Sequence, residues 1–350
     1  MTIPRRRFLA LAGGAVAAPA VLREGYAQAP QVTLKLHHLL PPVANVPVHF
    51  LVPWAKKVEQ ESHGRIRIEI YPAMQLGGAP PQLYDQARDG VVDLVWTVLG
   101  YTAGRFPRSE VIENPFISHR TALVNSLAIQ ELYEKHIADE FSEVHPICVF
   151  AHDRGLIHAN RRIERMEDMK GAKLRFPSRL AGDALKALGA SAIGMPVSQV
   201  PEAIAQRAID GAVVPWEVVP AVKLDELVKF HSEIAGAKSF YTIGFILAMN
   251  KARYASLPAD LKRVIDNNSG QAAARMAAVP FDRMAVEVPE LVKRKGGTIV
   301  TVAEAEAQRW QKTTQPVIDN WIRQVKDRNV DGGKLLDTVR ELIAKYEKAA

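Results

Sequence analysis

Strands and helices alternate in the pattern of hydrophobic and polar positions along the chain. Residues 65–71 alternate between charged and apolar side chains, as a strand does, and apolar residues recur at helical spacing from about 48 to 62. His63 and Gly64 end that helix. The other predicted strands are 32–37, 91–99, 145–151, 172–176, 192–195 and 212–215, and the other predicted helices are 81–88, 121–141, 179–188 and 200–208. This rhythm predicts a mostly parallel sheet flanked by helices.

The rhythm runs through the chain twice, which predicts two lobes. The first set ends with the strand at 145–151, and the second set begins with the strand at 172–176. From Pro258 onward, helical spacing dominates, with Trp310 and Trp321 on apolar helix faces. We therefore expect an α/β fold of two lobes with long C-terminal helices.

The chain begins with a pattern typical of protein export. Two arginines, a free position and Phe-Leu occupy residues 5–9, and an apolar stretch of mostly small residues continues to Val21. Small residues before Ala27 indicate a signal-peptidase site, so we expect a twin-arginine signal peptide at 1–27 and a periplasmic product. The alternative is a retained membrane anchor, but the stretch is short and contains Gly13 and Gly14.

Composition and charge narrow the class of partner. The chain has 350 residues, enough for two domains, with 48% hydrophobic residues and a formal net charge of +7. Residues 1–27 carry +3 of this charge, so the expected mature chain carries about +4. Basic residues are spread along the chain rather than clustered, which argues against a nucleic-acid partner. A mild basic excess suits an anionic ligand.

Catalytic motifs are missing from the sequence. It contains no His-Glu-x-x-His, no cysteine pair, no Gly-x-Ser-x-Gly and no Walker loop, which argues against an exported enzyme. Its one cysteine, Cys148, lies in an apolar run expected to form an internal strand, where a thiol is inert. We expect neither catalytic residues nor a cofactor.

Four sequence blocks resemble, in the family's order, the DctP-type substrate-binding proteins of tripartite ATP-independent periplasmic (TRAP) transporters. The blocks are residues 62–68 with 71–78, residues 169–178, residues 187–211, and residues 249–251 before Leu257-Pro258. They span nearly all of the expected mature chain. The resemblance implies a periplasmic binding-protein fold whose two lobes close on a ligand in the cleft between them. It also implies a receptor, which we expect to be a monomer, that delivers a small organic acid to the transporter's membrane subunits.

The resemblance also implies how the chain is divided between the lobes. The first lobe is expected to contain residues 31–151 and about 242–280. The second is expected to contain residues 152–241 and about 281–350. The chain would then cross between lobes three times.

Two arginines are candidates for binding the ligand's carboxylate. Arg175 follows a predicted strand and stands at the position of the family's carboxylate-binding arginine, where its planar guanidinium can bind a carboxylate bidentately. The alternative role for Arg175 is a surface ion pair. Arg154 lies where the chain enters the second lobe, and some relatives use an arginine there as an extra contact. A hinge-surface arginine is the alternative for that position.

Apolar residues replace polar family positions near the end of the strand at 212–215. Val213 and Val214 stand where relatives carry polar residues, and Trp216 adds a flat apolar wall if it lines the cleft rather than the core. Aromatic or small residues of the inferred cleft, Phe176, Ser178 and Tyr241, lie nearby in the expected fold. We therefore expect a monocarboxylate with an aromatic or apolar body, rather than a sugar acid or a C4 dicarboxylate.

Further candidates come from the first lobe and from a carboxylate beside Trp216. His38 and Tyr101 fall near strand ends that face the cleft in relatives, and either could donate a hydrogen bond to ligand oxygens. Trp96 is expected in the core. Glu217 is a candidate cation ligand in a minority interpretation, because some relatives hold a cation beside the ligand. The alternative functions are therefore a binder of a 2-oxo or hydroxy acid with a cation, and an exported enzyme.

Overall fold

Two β-sheets form the framework of the computed structural model, which describes residues 30–349. The proposed signal peptide therefore lies outside the described residues. The strands within that range are β1 (Val32–His38), β2 (Ile66–Tyr71), β3 (Leu94–Val98), β4 (Val144–Ala151), β5 (Leu156–Ala159), β6 (Lys173–Phe176), β7 (Ser191–Gly194), β8 (Gly211–Val214), β9 (Phe230–Ile234), β10 (Gly244–Asn250) and β11 (Thr298–Val302).

Helices cover both sheets and dominate the last third of the chain. They are α1 (Val52–Glu61), α2 (Leu83–Arg88), α3 (Ala122–Leu132), α4 (Arg179–Ala187), α5 (Val200–Ala205), α6 (Leu224–Leu227), α7 (Lys251–Ala255), α8 (Ala259–Asn267), α9 (Gly270–Arg294), α10 (Glu304–Lys326) and α11 (Gly332–Glu347). None of these helices is long and apolar enough to span a membrane. The expected α/β fold with long C-terminal helices is confirmed.

Each sheet is mixed because one of its strands runs antiparallel to both neighbours, while all its other strands share one direction, as a mostly parallel sheet requires. The first sheet has the order β2-β1-β3-β10-β4, and the second has the order β11-β9-β5-β8-β6-β7. In the first sheet β10 is antiparallel to both β3 and β4. In the second, β5 is antiparallel to both β8 and β9. The other pairings are parallel.

Two short segments carry the chain between the sheets side by side. Residues 152–155 lead from β4 to β5, and residues 235–243 lead from β9 back to β10. The segments contact each other where the Gly155 amide donates to the Tyr241 carbonyl at 3.0 Å. A Cβ atom at Gly155 would lie 2.0 Å from the Tyr241 ring, so only glycine fits against this side chain.

The C-terminal helices join the two halves rather than belonging to one of them. Helix α9 packs against α3 and β4 beside the first sheet, and against β11 of the second. Helix α11 packs against α3, and its Lys345 pairs with Glu131 at 2.5 Å. This differs from the expected division, which assigned residues 281–350 to the second lobe. Helical periodicity reports an apolar face but not which partner covers it.

Candidate functional site

A cavity lies where strands of both sheets end. The parallel strands β1 and β3 of the first sheet and β6 and β8 of the second point their carboxyl ends at it, as expected for ligand sites in α/β folds. Its empty volume is about 390 Å³ when the part open to solvent is included. Most of the lining is apolar, comprising Leu39, Leu40, Trp96, Val98, Pro177, Val197, Val213, Val214, Pro215, Val218, Ile243 and Phe245. The polar lining residues are Tyr101, Arg175, Glu217 and Tyr241.

Arg175 lies on β6 and is buried at the cavity, with only 1% of its surface exposed. Its guanidinium donates to two backbone carbonyls, that of Met195 at 2.8 Å and that of Val213 at 3.3 Å. It also donates to the Tyr101 hydroxyl at 3.3 Å. These acceptors are all neutral, and no carboxylate among residues 30–349 forms an ion pair with it. Because a buried cation is costly without an anion, this part of the cavity suits a carboxylate ligand.

Tyr101 connects the two halves of the cavity. It ends the short helical turn Leu99–Tyr101 that follows β3 of the first sheet. Its hydroxyl accepts a hydrogen bond from the Val197 amide at 2.9 Å, and Val197 lies beyond β7 of the second sheet. The same oxygen accepts from Arg175, so a single hydroxyl fixes the guanidinium and bridges the sheets.

Tyr241 places a polar group without a protein partner in the cavity wall. The residue is 1% exposed, and its hydroxyl has no hydrogen-bond partner within the described part of the chain. Burial raises the pKa of Tyr241 well above its usual value, and nearby Arg175 partly offsets this rise. The hydroxyl is therefore a neutral donor in the wall of the same cavity that Arg175 lines, free to bind an oxygen of a ligand.

Aromatic and aliphatic side chains form the rest of the wall. The Trp96 ring stacks on Phe245 with centroids 5.4 Å apart and an interplanar angle of 27°. Trp96 is buried, as expected, but it also lines the cavity, which the sequence analysis did not anticipate. Val213 and Val214, the residues that replace polar family positions, are both in the wall. Such a surface favours a flat apolar ligand.

Glu217 is the acidic residue of the lining. It is 6% exposed, and its Oε2 atom has no hydrogen-bond partner in the described chain. Burial raises the pKa of Glu217 to about 8, an effect that the Asn45 amide moderates. No group of three or more His, Cys, Asp or Glu side chains within residues 30–349 is placed to hold a metal ion. The minority interpretation of Glu217 as a cation ligand stays a prediction.

Trp216 and Arg154 lie away from the cavity lining. Trp216 is fully buried, with its ring stacked on His231 at 5.6 Å and its indole nitrogen donating to Glu233 at 2.8 Å. Arg154 pairs with the same Glu233 carboxylate at 3.1 Å. Trp216 therefore packs in the core, and Arg154 lies in the segment that joins the sheets, which are the alternative positions given for them above. The Glu233 carboxylate binds both side chains. Residue spacing alone does not reveal such a tertiary partner.

His38 is buried beside the cavity without lining it. Its Nδ1 accepts from the Leu40 amide at 3.3 Å, and it is Leu39 and Leu40 that reach the wall. Burial, aided by neighbouring His37, lowers the pKa of His38 to about 4, so the ring is neutral near pH 7. His38 was expected to bind the ligand, but its side chain does not line the cavity.

Phe176 and Ser178 line a groove next to the cavity. Tyr101 and Pro177 border both spaces and separate them. The Phe176 ring fills room left by two glycines, since a Cβ atom at Gly182 or Gly194 would come within 2.9 Å or 2.8 Å of it.

Four of the nine expected ligand-binding residues line the cavity, namely Arg175, Tyr101, Tyr241 and Val214.

Sequence reasoning missed lining residues both on strands and between them. Val98 and Phe245 lie on β3 and β10, Leu39 and Ile243 lie in connecting segments, and Val197 begins a short helical turn. The one available signal is position, because side chains at the carboxyl ends of parallel strands converge. That rule applies to Leu39, which follows β1. It does not apply to Ile243, which precedes the antiparallel strand β10.

Comparison with protein families gives one clear match. The model of the bacterial extracellular solute-binding proteins, family 7 (DctP), matches residues 41–324. A named relative is the outer membrane transporter protein TsaT of Comamonas testosteroni. It is 25% identical over 317 residues, which cover 89% of this chain and 92% of TsaT.

Solved structures give the same result at higher identity. A TRAP solute-binding protein from a marine metagenome, specific for aromatic acid ligands and complexed with 3-hydroxybenzoate, is 43% identical, with a TM-score of 0.89 over 91% of this chain and 99% of that one. A Rhodoferax ferrireducens TRAP protein with copurified benzoate is also 43% identical, with a TM-score of 0.88 over 91% and 99%. A Bordetella bronchiseptica TRAP protein with bound (R)- and (S)-mandelate is 26% identical, with a TM-score of 0.83 over 90% and 99%.

These matches confirm the resemblance inferred from the four sequence blocks. They extend over nearly the whole described chain and nearly the whole of each solved relative. The match also agrees with the two mixed sheets and their helical layers. The chain belongs to the DctP family, the solute-binding proteins of TRAP transporters.

Proposed function

We propose that this protein binds a small aromatic monocarboxylate in the cavity between its sheets. The observation that carries the proposal is the buried Arg175 guanidinium, whose partners within residues 30–349 are all neutral and which lines a mostly apolar space. A ligand carboxylate would supply the missing anion. The Tyr101 hydroxyl contacts the guanidinium, and Tyr241 lines the same cavity.

The wall of the cavity supports an aromatic body over a polar one. Each buried hydroxyl of a sugar acid would need a hydrogen-bond partner, and most of the lining residues are apolar. An aromatic ring needs no such partners and gains about 25 cal/mol per Å² of apolar area buried. The benzoate, 3-hydroxybenzoate and mandelate held by the related TRAP proteins are all of this ligand class.

The protein is proposed to act as a periplasmic receptor that closes on its ligand and releases it unchanged. A twin-arginine signal peptide would export the chain, and the segments 152–155 and 235–243 would serve as hinges between the lobes. Closure would be followed by delivery of the acid to the membrane subunits of a TRAP transporter. We propose that the receptor is a monomer in this cycle.

Calorimetry with the purified mature protein tests the proposal. Benzoate and 3-hydroxybenzoate should bind, whereas succinate and glucuronate should not. Arg175→Ala should lose about 2–5 kcal/mol of binding free energy, roughly 30- to several-thousand-fold in affinity, because a desolvated carboxylate would lose its cation. Arg175→Lys should also lose most of the affinity, since an ammonium cannot reproduce the guanidinium's fork of donors.

The matched control is Arg340→Ala, which removes an exposed arginine on α11 that pairs only with Asp337. It should bind with the affinity of the unaltered protein. Undiminished aromatic-acid binding in Arg175→Ala would contradict the proposal, as would binding of succinate in preference to every aromatic acid. Recovery of a converted acid after incubation would contradict the receptor role.

A further inference from the structure

The Glu217 carboxyl is a polar group of the cavity that the carboxylate site does not use. It lies on the short helical turn Trp216–Val218, directly after β8. The residue is 94% buried, since its exposed fraction is 6%, and it lines the cavity with its Oε2 atom unpartnered in the described chain.

Glu217 and Arg175 form separate polar regions of one cavity. On the paired strands β6 and β8, Arg175 lies opposite Ala212, and Glu217 comes after the end of β8. No ion pair joins the two side chains. Contact with the guanidinium would hold the Glu217 carboxyl ionised, but burial instead raises its pKa to about 8. Near pH 7 the carboxyl is therefore mostly a neutral acid, able both to donate and to accept a hydrogen bond.

Resting on the proposed function, we infer that Glu217 determines specificity by selecting aromatic acids with a ring hydroxyl, which it binds while Arg175 binds the carboxylate. A phenolic hydroxyl donates and accepts one hydrogen bond each, which matches a neutral carboxylic acid. An unsubstituted ring would leave Glu217 buried without a partner. Since an unmet buried polar group costs binding free energy, hydroxylated acids are the preferred ligands.

The test is a comparison of ligand pairs in the mature protein by calorimetry. The probes are benzoate, the three hydroxybenzoate isomers and the corresponding methylbenzoates, which have similar size but no hydroxyl. At least one hydroxybenzoate should bind about 3- to 10-fold more tightly than both benzoate and its methyl counterpart, as expected for one neutral hydrogen bond. The isomer with the largest gain reports the ring position that faces Glu217.

Two variants assign this preference to Glu217. Glu217→Leu has similar volume without polar atoms, so the ratio of hydroxybenzoate to benzoate affinity should fall to about one. Glu217→Gln keeps a neutral donor and acceptor, so it should retain most of the preference. Glu290→Leu, on an exposed carboxylate of α9, is the control and should leave the ratio unchanged. Circular dichroism checks that each variant is folded.

Separate outcomes distinguish failure of this inference from failure of the proposed function. If benzoate binds through Arg175 but the hydroxyl preference is absent, or persists in Glu217→Leu, the assignment of Glu217 is wrong and the receptor proposal stands. If no aromatic acid binds, both are wrong. Should Glu217→Leu fail to fold, a crystal structure of the hydroxybenzoate complex decides. A ring hydroxyl within about 3.2 Å of a Glu217 oxygen supports the inference, and any other position overturns it.

Discussion

The Tyr241 hydroxyl is a residue-scale test of how the cavity binds an anion. Since it lacks a protein partner, Tyr241→Phe should leave the free energy of unfolding unchanged in the free protein. Benzoate affinity should fall about tenfold or more, because hydrogen bonds to charged groups contribute about 1.5–3 kcal/mol. Tyr84→Phe is the control, since this hydroxyl is also buried and unpartnered but lies outside the cavity lining. Equal affinities of the two variants would argue against a carboxylate beside Tyr241.

Glu113 makes stability depend on pH. Burial, and then repulsion from Glu110, raises its pKa from an ordinary 4.5 to about 8. The folded chain therefore holds this proton more tightly than the unfolded chain does. The resulting stabilisation is complete below pH 4.5 and is lost as the pH rises through 8.

Glu113→Gln should remove this dependence, since the amide keeps an oxygen to accept from the Gly244 amide but cannot ionise. The free energy of unfolding of Glu113→Gln, minus that of the unaltered protein, should rise by up to about 1.4 kcal/mol per pH unit between pH 4.5 and 8. Urea unfolding at pH 5, 6, 7 and 8 measures the difference. The exposed Glu341→Gln is the control, and its free energy of unfolding should differ from that of the unaltered protein by the same amount at each pH. The same pH-independent difference for Glu113→Gln would refute the assignment.

Single residues also show how far sequence reasoning reaches into the site. Arg175 could be named because a family motif places it, and the structure brings it to the cavity. Trp96 lies in the core, as expected, and also lines the cavity, whereas Trp216 packs on His231 instead of lining it. Both tryptophans are apolar and near strand ends. What separates them is the Glu233 carboxylate, which is distant in sequence from Trp216 and accepts from its indole nitrogen.

At the scale of elements, Gly155 fixes how the two crossing segments meet. Gly155→Ala should push the Tyr241 ring out of place, because the added Cβ atom would start 2.0 Å from it. We expect a loss of about 1–3 kcal/mol of stability, typical of overpacking, together with weaker benzoate binding. Gly333→Ala in α11 is the control, since its Cβ atom would meet nothing closer than 3.5 Å. Thermal unfolding and calorimetry on both variants measure the two effects, and unchanged binding in Gly155→Ala would contradict the expected displacement.

The strands differ in how readily their sequences reveal them. β2 follows a period of two because its faces differ in exposure, and it was predicted within one residue. β10 is buried along its whole length, so its sequence is a continuous apolar run that periodicity cannot distinguish from a buried helix. β11 is short and lies between two long helices, where the helical pattern masked it. Periodicity therefore predicted the fold class and the two lobes, but not β10 or β11.

At the scale of the whole molecule, an ion pair outside the cavity joins the two halves. Arg179 at the start of α4 pairs at 2.5 Å with Glu110, which lies on the segment Ser109–Glu113 beside the first sheet. If the lobes separate to release ligand, this pair must break. It should therefore slow ligand release without touching the ligand.

Arg179→Ala should raise the dissociation rate of benzoate about 3- to 10-fold and leave the association rate unchanged, as expected from about 1 kcal/mol for a partly buried pair. Stopped-flow fluorescence measures both rates. The control is Arg309→Ala, which breaks a pair of the same length with Glu167 and leaves the Arg179–Glu110 contact intact. An equal change in the two variants would show that the Arg179 pair has no special role in closure.

The position of β10 between β3 and β4 has a consequence for the order in which the chain folds. During synthesis β3 and β4 emerge early, but the strand that joins them is made only after nearly all of the second sheet. Helix α11, which covers α3, is made later still. The core around the first sheet therefore cannot be completed until β10 and α11 have been translated. Folding by such distant pairings is slow, so an exporter that accepts only finished proteins would suit this chain.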